Sequence, residues 1–285
     1  MYQDDEKLWT HTTKVVSVQP LDALSEIDRT LFKQIPHDLG HQVVVTAETI
    51  FYAQGGGQPS DTGTMRSVPE DQNQSSLTDT VASSFSVHAV RHSVSSPGQI
   101  LHLGRFEPGN SRTFTVGQSV HQAIDGEKRQ LHSRIHDAGH ILSLAVRHLS
   151  HGSGDQPTFA EVTELKAQHY PDAAFVEFRG LIDGKHKDAI QAQCDAFVSQ
   201  ALPIKVYWLN EAELREKCAI VPDNLAAASD GGDGEPGLFR AVDIEGAGAY
   251  PCGGTHVTDT SVVGKVEVRR ITRSKGITKI SYQTR

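Results

Sequence analysis

Two separated stretches of the sequence carry side chains that could hold one metal ion. In His136-Asp-Ala-Gly-His140 two imidazoles lie four residues apart, and residues i and i+4 of a helix share a face. In Cys252-Gly-Gly-Thr-His256 a thiol and an imidazole flank two glycines, which let the backbone turn tightly enough for both to face one point. Histidine nitrogens and a cysteine sulfur together suit zinc, so the two stretches predict a shared zinc site.

The His-x3-His spacing alone is weak evidence, because it occurs four times. The pairs His37/His41 and His88/His92 fall in loop-like or strand-like sequence, where this spacing gives no common face. On the predicted helix, His132, His136 and His140 form one stripe. Spacing leaves open which two of these three bind metal.

A glycine run, Gly55-Gly56-Gly57, interrupts an otherwise strand-like region. No Gly-Lys-Ser/Thr follows it and the Rossmann spacing is absent, so we expect no nucleotide cofactor. Two interpretations remain: a hairpin turn, or a backbone wall where missing side chains admit a substrate closely.

Charge is distributed unevenly along the 285 residues. The net charge is −8 and the pI about 6.0, which gives no general attraction for nucleic acid. The last 25 residues reverse this, with Glu267 as their one acidic residue and seven basic ones: Lys265, Arg269, Arg270, Arg273, Lys275, Lys279 and Arg285. This segment could hold phosphates or form a solvated strand face, and both interpretations stay open.

Composition predicts a soluble protein of a reducing compartment. Hydrophobic residues make up 37% and charged residues 22%, and the three cysteines, an odd number, are widely spaced. No apolar run approaches the roughly 20 residues that span a bilayer, and the acidic start resembles neither a signal nor a transit peptide. We therefore expect a cytoplasmic location and no membrane partner.

Many short strands are expected before residue 125. Alternating or β-branched segments are Thr12–Pro20, 42–46, Ala47–Tyr52, Phe85–His92, Ile100–Leu103, Thr113–Val116 and Ser119–Ile124. A polar segment, Ser67–Ser84, favours a loop. This pattern predicts a small antiparallel β-barrel or sheet.

From Asp125 the pattern changes to helices alternating with strands. Apolar residues recur at spacings of three and four, which is typical of an amphipathic helix: Leu131, Ile135, Ala138, Leu142, Ala145 and Leu149. Later segments predict further helices and strands, among them Asp188–Leu202 and Glu211–Lys217 as helices and Leu238–Ile244 as a strand, with a mobile loop at Asn224–Gly237. The predicted fold class is α+β, with one domain at residues 1–124 and a second at 125–285.

Three motifs together resemble the alanyl-tRNA editing family. They are Phe51-Tyr-Ala-Gln-Gly-Gly-Gly-Gln-Pro-Ser-Asp-Thr-Gly63, His136-Asp-Ala-Gly-His140-Ile-Leu and Pro251-Cys-Gly-Gly-Thr-His256. That family comprises the editing domain of alanyl-tRNA synthetase and its free-standing relatives, the AlaX proteins. The glycine motif points to the medium-length AlaX type. The resemblance implies an N-terminal β-barrel followed by an editing domain of the threonyl/alanyl-tRNA synthetase type.

The resemblance also implies a site and an activity. His136, His140, Cys252 and His256 would bind one Zn²⁺ per chain. Gln58 would line a catalytic pocket, with Gly55, Gly56, Gly57 and Thr255 in contact with substrate. The reaction would be hydrolysis of the ester between serine or glycine and the acceptor end of tRNA(Ala).

The sequence departs from the family at Asp137, where the family usually has threonine or serine. That hydroxyl is associated with sensing a serine side chain, whereas an ionised carboxylate only accepts hydrogen bonds. We therefore assign Asp137 to the catalytic pocket and keep two alternatives open. The same fold could act on another aminoacyl-tRNA or on a small ester or amide, or the chain could be a non-catalytic tRNA-binding module with a structural zinc.

Overall fold

A computed structural model describes residues 1–35, 40–69, 83–107, 113–151, 157–218, 221 and 237–285. The chain forms two compact units. The first contains Met1–Gln54 and Ser60–Arg129, and the second contains Gly55–Pro59 and the described residues from Gln130 onward. The pair His37/His41 and most of the loops expected at Ser67–Ser84 and Asn224–Gly237 lie wholly or partly outside the described residues.

The first unit is built around a closed antiparallel barrel, as the strand pattern predicted. Its order is β1-β2-β5-β4-β3-β6, and β6 pairs back with β1. The strands are β1 (Thr10–Pro20), β2 (Gln42–Thr46), β3 (Gly63–Ser67), β4 (Ser84–His92), β5 (Ile100–Phe106) and β6 (Ser119–Ile124). A short helix, α1 (Glu26–Thr30), follows β1.

Strand β2 is apolar on both faces because each face packs in a core cluster. Val44 packs in one core cluster with Met65 and Phe85, whereas Val43 and Val45 pack in another. That second cluster includes side chains next to α1, so both faces of β2 are covered. A strand buried on both faces loses the polar alternation that a half-exposed strand shows.

Two expected strands are absent, and hydrogen bonds explain both corrections. Ala47–Tyr52 is irregular, because its amides donate to side chains: the Ile50 amide donates to Gln122 Oε1 (3.1 Å) and the Tyr52 amide to Asp61 Oδ2 (2.7 Å). Thr113–Val116 runs into a turn closed by a bond from the Gln118 amide to the Thr115 carbonyl (3.1 Å). Periodicity reveals neither the side-chain acceptors of Ala47–Tyr52 nor the turn after Thr115.

The second unit mixes helices and sheets, which confirms the α+β class. Its helices are α2 (Gly126–His151, which begins in the first unit), α3 (Lys187–Ser199), α4 (Glu211–Lys217) and α5 (Thr260–Val263). Its strands are β7 (Thr163–Gln168), β8 (Phe175–Arg179), β9 (Ile204–Leu209), β10 (Phe239–Ile244), β11 (Gly248–Pro251), β12 (Val266–Ser274) and β13 (Ile277–Thr284). They form two sheets, of order β12-β13-β8-β7 and β11-β10-β9. Strands β7 and β11 were not expected.

Helix α2 carries the residues that position the site. Its predicted apolar stripe is largely confirmed: Ile135, Ala138, Leu142 and Ala145 are buried in the main core of this unit. Leu131, by contrast, is 37% exposed and does not belong to that core. In the described part of the chain, every helix is too short or too polar to cross a bilayer.

Candidate metal centre

Helix α2 and the loop after β11 bring three candidate metal ligands together. One ligand atom each from His136, His140 and Cys252 lies within 4.8 Å of the other two. Cys252 Sγ is 3.4 Å from His136 Nε2, and the two imidazoles stack with ring centroids 4.7 Å apart. This group does not include His132, so the structure separates the three helical histidines that spacing could not.

The cysteine lies in a loop that supports a metal-binding sulfur. Arg240, on β10, donates from Nη1 to the Cys252 carbonyl (2.8 Å), and its own carbonyl accepts from the Cys252 amide (3.1 Å). The Gly254 amide donates to Cys252 Sγ at 3.4 Å. An amide donor favours the thiolate, which is the form that binds metals.

The protonation of the two helical histidines fits a metal site. Burial holds the pKa of His136 well below its usual value and lowers the pKa of His140 to about 3. His140 Nε2 is buried and accepts no hydrogen bond from the described residues. Zinc is commonly bound by neutral imidazole nitrogens together with a cysteine sulfur, and this group offers both. The residues therefore fit a divalent ion of this kind.

Gln58 sets the orientation of His136. The Thr255 amide donates to Gln58 Oε1 (3.1 Å), which identifies that atom as the acceptor. His136 Nδ1, 2.6 Å from the same oxygen, must therefore carry the proton. Its Nε2 then holds the lone pair, beside the Cys252 sulfur.

Thr255 is part of the same network. Gln58 Nε2 donates to Thr255 Oγ1 (2.8 Å), and Ser133 Oγ lies 2.7 Å from that hydroxyl. Gln58 and Thr255 are both fully buried. The structure thus brings these two predicted pocket residues together next to His136, and their contact with a substrate stays a prediction.

His256 lies beside the three-residue group. Its ring centroid is 5.2 Å from that of His136 and 5.7 Å from that of His140. Its Nδ1 is 2.6 Å from Oδ1 of Asp137, whose Oδ2 accepts from the Val257 amide (2.8 Å). Asp137 is fully buried, and burial raises the pKa of its carboxyl to about 7.

The glycine run forms a hairpin turn, one of its two expected interpretations. The Gln58 amide donates to the Gly55 carbonyl (2.8 Å), and Gly56 and Gly57 have φ of +51° and +81°. A Cβ on Gly57 would lie 2.5 Å from the Ala167 carbonyl oxygen, whereas one on Gly56 would meet nothing within 4 Å. The turn therefore needs glycine for its backbone shape at both positions and for close packing at Gly57.

Sequence reasoning missed His169, a buried histidine after β7. Its ring stacks on that of His136, with centroids 4.4 Å apart and planes 18° from parallel. Its Nδ1 lies 2.6 Å from the Tyr282 hydroxyl, which donates to the Ile135 carbonyl (3.0 Å). Gly139 makes room for it, since a Cβ there would lie 2.4 Å from the His169 ring. His169 belongs to no spaced pair, so the sequence carried no signal for it.

Replacing Gly254 with alanine is expected to disrupt the metal centre. The new Cβ would lie 2.1 Å from Cε1 and 2.4 Å from Nδ1 of His136, so the imidazole must move. We expect metal affinity to fall at least about tenfold, as for other losses of ligand orientation. Chelator competition with Zn²⁺ measures this.

Gly184→Ala is the matched control for that substitution. Gly184 also lacks a positive φ, and a Cβ there would meet nothing within 4 Å. Equal zinc affinities for the Gly254→Ala and Gly184→Ala proteins would contradict the expectation.

Comparison with known proteins gives a consistent set of relatives. No model of a known protein family matches the chain. It is 27% identical over 235 residues to the alanyl-tRNA editing protein AlaX-M of Methanosarcina barkeri, covering 82% of this chain and 84% of that protein. It is 24% identical to AlaX-L of Pyrococcus horikoshii, covering 84% of this chain and 50% of the relative. It is 26% identical to the alanine–tRNA ligase of Methanosarcina mazei over 90% of this chain.

These relatives differ in how much of them the chain spans. It covers about half of the AlaX-L protein and 25% of the ligase, but most of the AlaX-M protein. The alignments each include more than four fifths of this chain, so they extend well beyond the three short motifs. The resemblance to the alanyl-tRNA editing family, and to its AlaX-type members, is confirmed.

Proposed function

We propose that this protein is a metal-dependent hydrolase that removes a wrongly attached amino acid from tRNA(Ala). The observation that carries the proposal is the convergence of His136, His140 and Cys252 from two distant stretches of sequence. The names of its relatives, alanyl-tRNA editing proteins and alanine–tRNA ligases, supply the substrate class. Serine and glycine are the amino acids that we expect to be removed.

The chain's own residues would hold the ion. His136, His140 and Cys252 are the proposed ligands, and Gln58 keeps His136 in the tautomer that can bind. A bound zinc ion supplies Lewis-acid polarisation of an ester carbonyl or of a water molecule. His256 is the proposed fourth ligand, and we expect one coordination position to exchange with water or substrate, since a catalytic zinc keeps an open position whereas a closed four-ligand site is structural.

The glycine turn is the proposed wall for the ester and the terminal ribose. Space is open around Gly56, where a side chain would meet nothing within 4 Å. Backbone amides at such a turn hold a polar group without the bulk of side chains. We assign Gly55, Gly56 and Gly57 to this contact.

The hairpin of β12 and β13 is the proposed surface for the acceptor stem. Arg269, Arg270 and Lys275 are exposed on it. Some other cations pair locally, such as Arg273 with Asp183 (3.0 Å) and Arg285 with Glu267 (2.9 Å). Phosphate contacts from this face would make tRNA binding weaken as salt rises.

A second candidate is the same chemistry on another aminoacyl-tRNA. The observation that favours it is Asp137, where the resembled family has a small hydroxyl residue. A carboxylate at this position lacks the hydroxyl that the resembled family is associated with using to sense a serine side chain. The two candidates share the metal centre and differ in the amino acid released.

Deacylation assays on charged tRNA test the proposal. Ser-, Gly- and Ala-tRNA(Ala), with a panel of other charged tRNAs, are incubated with the protein as purified, after chelation, and after zinc is restored. We expect release of serine or glycine faster than alanine, loss of activity on chelation and its return with zinc. Full activity without metal would overturn the mechanism, and release from a different tRNA alone would favour the second candidate.

A further inference from the structure

Asp137 directs both carboxylate oxygens at protein groups. Oδ1 lies 2.6 Å from His256 Nδ1, and Oδ2 accepts from the Val257 amide at 2.8 Å. The Asp137 side chain is fully buried and that of His256 is 2% exposed. Because both of its oxygens contact protein groups, Asp137 is in position to orient the His256 ring.

The hydrogen bond from the Val257 amide to Oδ2 determines how Oδ1 of Asp137 faces His256. The Val257 amide can only donate, so it holds Oδ2 as an acceptor and fixes the plane of the carboxylate. Oδ1 then points at Nδ1 of His256. In its ionised form Asp137 accepts at both oxygens, which keeps the His256 proton on Nδ1 and the lone pair on Nε2, a buried atom.

We propose that Asp137 is a positioning residue that fixes the His256 imidazole as the fourth ligand of the metal centre, with Nε2 as the binding atom. The inference rests on the metal centre of the proposed function and assigns Asp137 a different role from the substrate contact predicted from the sequence. Metal-binding histidines commonly donate their second N–H to a carboxylate, which fixes the tautomer and the ring orientation.

Two of the three imidazoles of the site are then oriented by different hydrogen-bond acceptors. His136 donates Nδ1–H to the neutral amide oxygen of Gln58, and His256 donates to the carboxylate of Asp137. A carboxylate partner makes the imidazole more basic and strengthens its bond to a cation. A buried carboxylate is costly without a nearby cation, and an ion held by His256 would supply one.

The substitution Asp137→Asn separates orientation from size. Asparagine offers one acceptor and one donor where two acceptors are needed. If its oxygen faces the Val257 amide, its NH₂ group faces His256 Nδ1 and favours the tautomer with the proton on Nε2, which cannot bind metal. We expect Zn²⁺ affinity to fall about 10- to 100-fold.

The measurement is made on the metal-loaded full-length protein, independently of activity. Chelator competition gives the Zn²⁺ affinity, and the visible absorption of the Co²⁺-substituted protein reports the number and type of ligands. Asp188→Asn, at an exposed position on α3, is the control with the same change of charge. It should leave affinity and spectrum unchanged.

A double-mutant cycle with His256→Ala distinguishes positioning from a general loss of stability. If Asp137 acts through His256, Asp137→Asn should add nothing further to the loss of affinity in the His256→Ala protein. Additive losses would overturn the inference. Should Asp137→Asn not fold, Asp137→Ala provides the same test, since it removes the acceptor for His256 and its loss of affinity should likewise disappear in the His256→Ala protein.

The outcomes separate this inference from the proposed function. A wild-type protein that binds no zinc would overturn both. A wild-type protein that binds zinc and deacylates tRNA, with an Asp137→Asn variant of equal affinity and an identical Co²⁺ spectrum, would overturn the role of Asp137 alone. Weaker binding with an altered spectrum, absent in the Asp188→Asn control, supports it.

Discussion

The Cys252→Ala protein should bind no stoichiometric zinc and lose deacylation by about 10³-fold, because losing the metal removes several kcal/mol of transition-state stabilisation. The sulfur is the one member of the compact ligand group that comes from outside α2, 3.4 Å from His136 Nε2. Without it, the proposed ligand set is reduced to the neutral imidazoles of His136, His140 and His256, which lack the negative charge of the thiolate. Metal analysis and Ser-tRNA(Ala) deacylation measure the two effects.

Cys218→Ala is the control for removal of a thiol. Cys218 is also buried, but it packs with Leu214, Ala241 and Ala249 in a separate small cluster. Its loss should lower stability modestly and leave the zinc content unchanged. A metal-free Cys252→Ala protein with full deacylation would show that the reaction does not need the metal centre.

The Asp61→Ala protein should lose about 3–5 kcal/mol of stability, as expected when one partner of a buried ion pair is removed. Asp61 and Arg129 are 1% and 2% exposed, and Arg129 Nε lies 3.0 Å from both carboxylate oxygens. Asp61 also accepts from the Tyr52 amide (2.7 Å). The substitution leaves a buried guanidinium without its anion and a buried amide without its acceptor.

Equilibrium unfolding in urea measures this loss, with far-ultraviolet circular dichroism as the probe. The control is Glu211→Ala, which breaks the exposed i,i+4 pair with Arg215 on α4 and should cost no more than about 1 kcal/mol. Similar costs for the two substitutions would mean that the Asp61–Arg129 pair contributes little. Asp61 belongs to the glycine motif, so the prediction also tests a structural role for that motif.

The elements that sequence predicted best are those governed by local periodicity. The spacing of Ile135, Ala138, Leu142 and Ala145 identified α2, and the short β-branched segments identified most strands of the barrel. The convergence of the α2 histidines with Cys252 was predicted from residue type, and the choice of His136 and His140 over His132 came from the family resemblance, because spacing left it open.

What sequence could not predict depends on contacts between distant residues. Gln58 and His136 are 78 positions apart, and Asp137 and His256 are 119 apart. His169 reaches the site by stacking, and stacking leaves no periodic trace. Ala47–Tyr52 looked like a strand because its residues are apolar, while its amide partners lie on Gln122 and Asp61.

The five residues Gly55–Pro59 make the second unit discontinuous in sequence, because they belong to it while their flanking residues belong to the first unit. A fragment that begins near residue 125 would retain every proposed zinc ligand but lose Gln58, the acceptor that holds His136. In a chimaera of two related proteins joined at that boundary, the residue at position 58 that contacts His136 would therefore come from the parent that provides the amino-terminal half. To transfer the centre intact into another protein, Gly55–Pro59 and the part of the chain after residue 125 must come from the same parent. A single crossover near residue 125 does not achieve this.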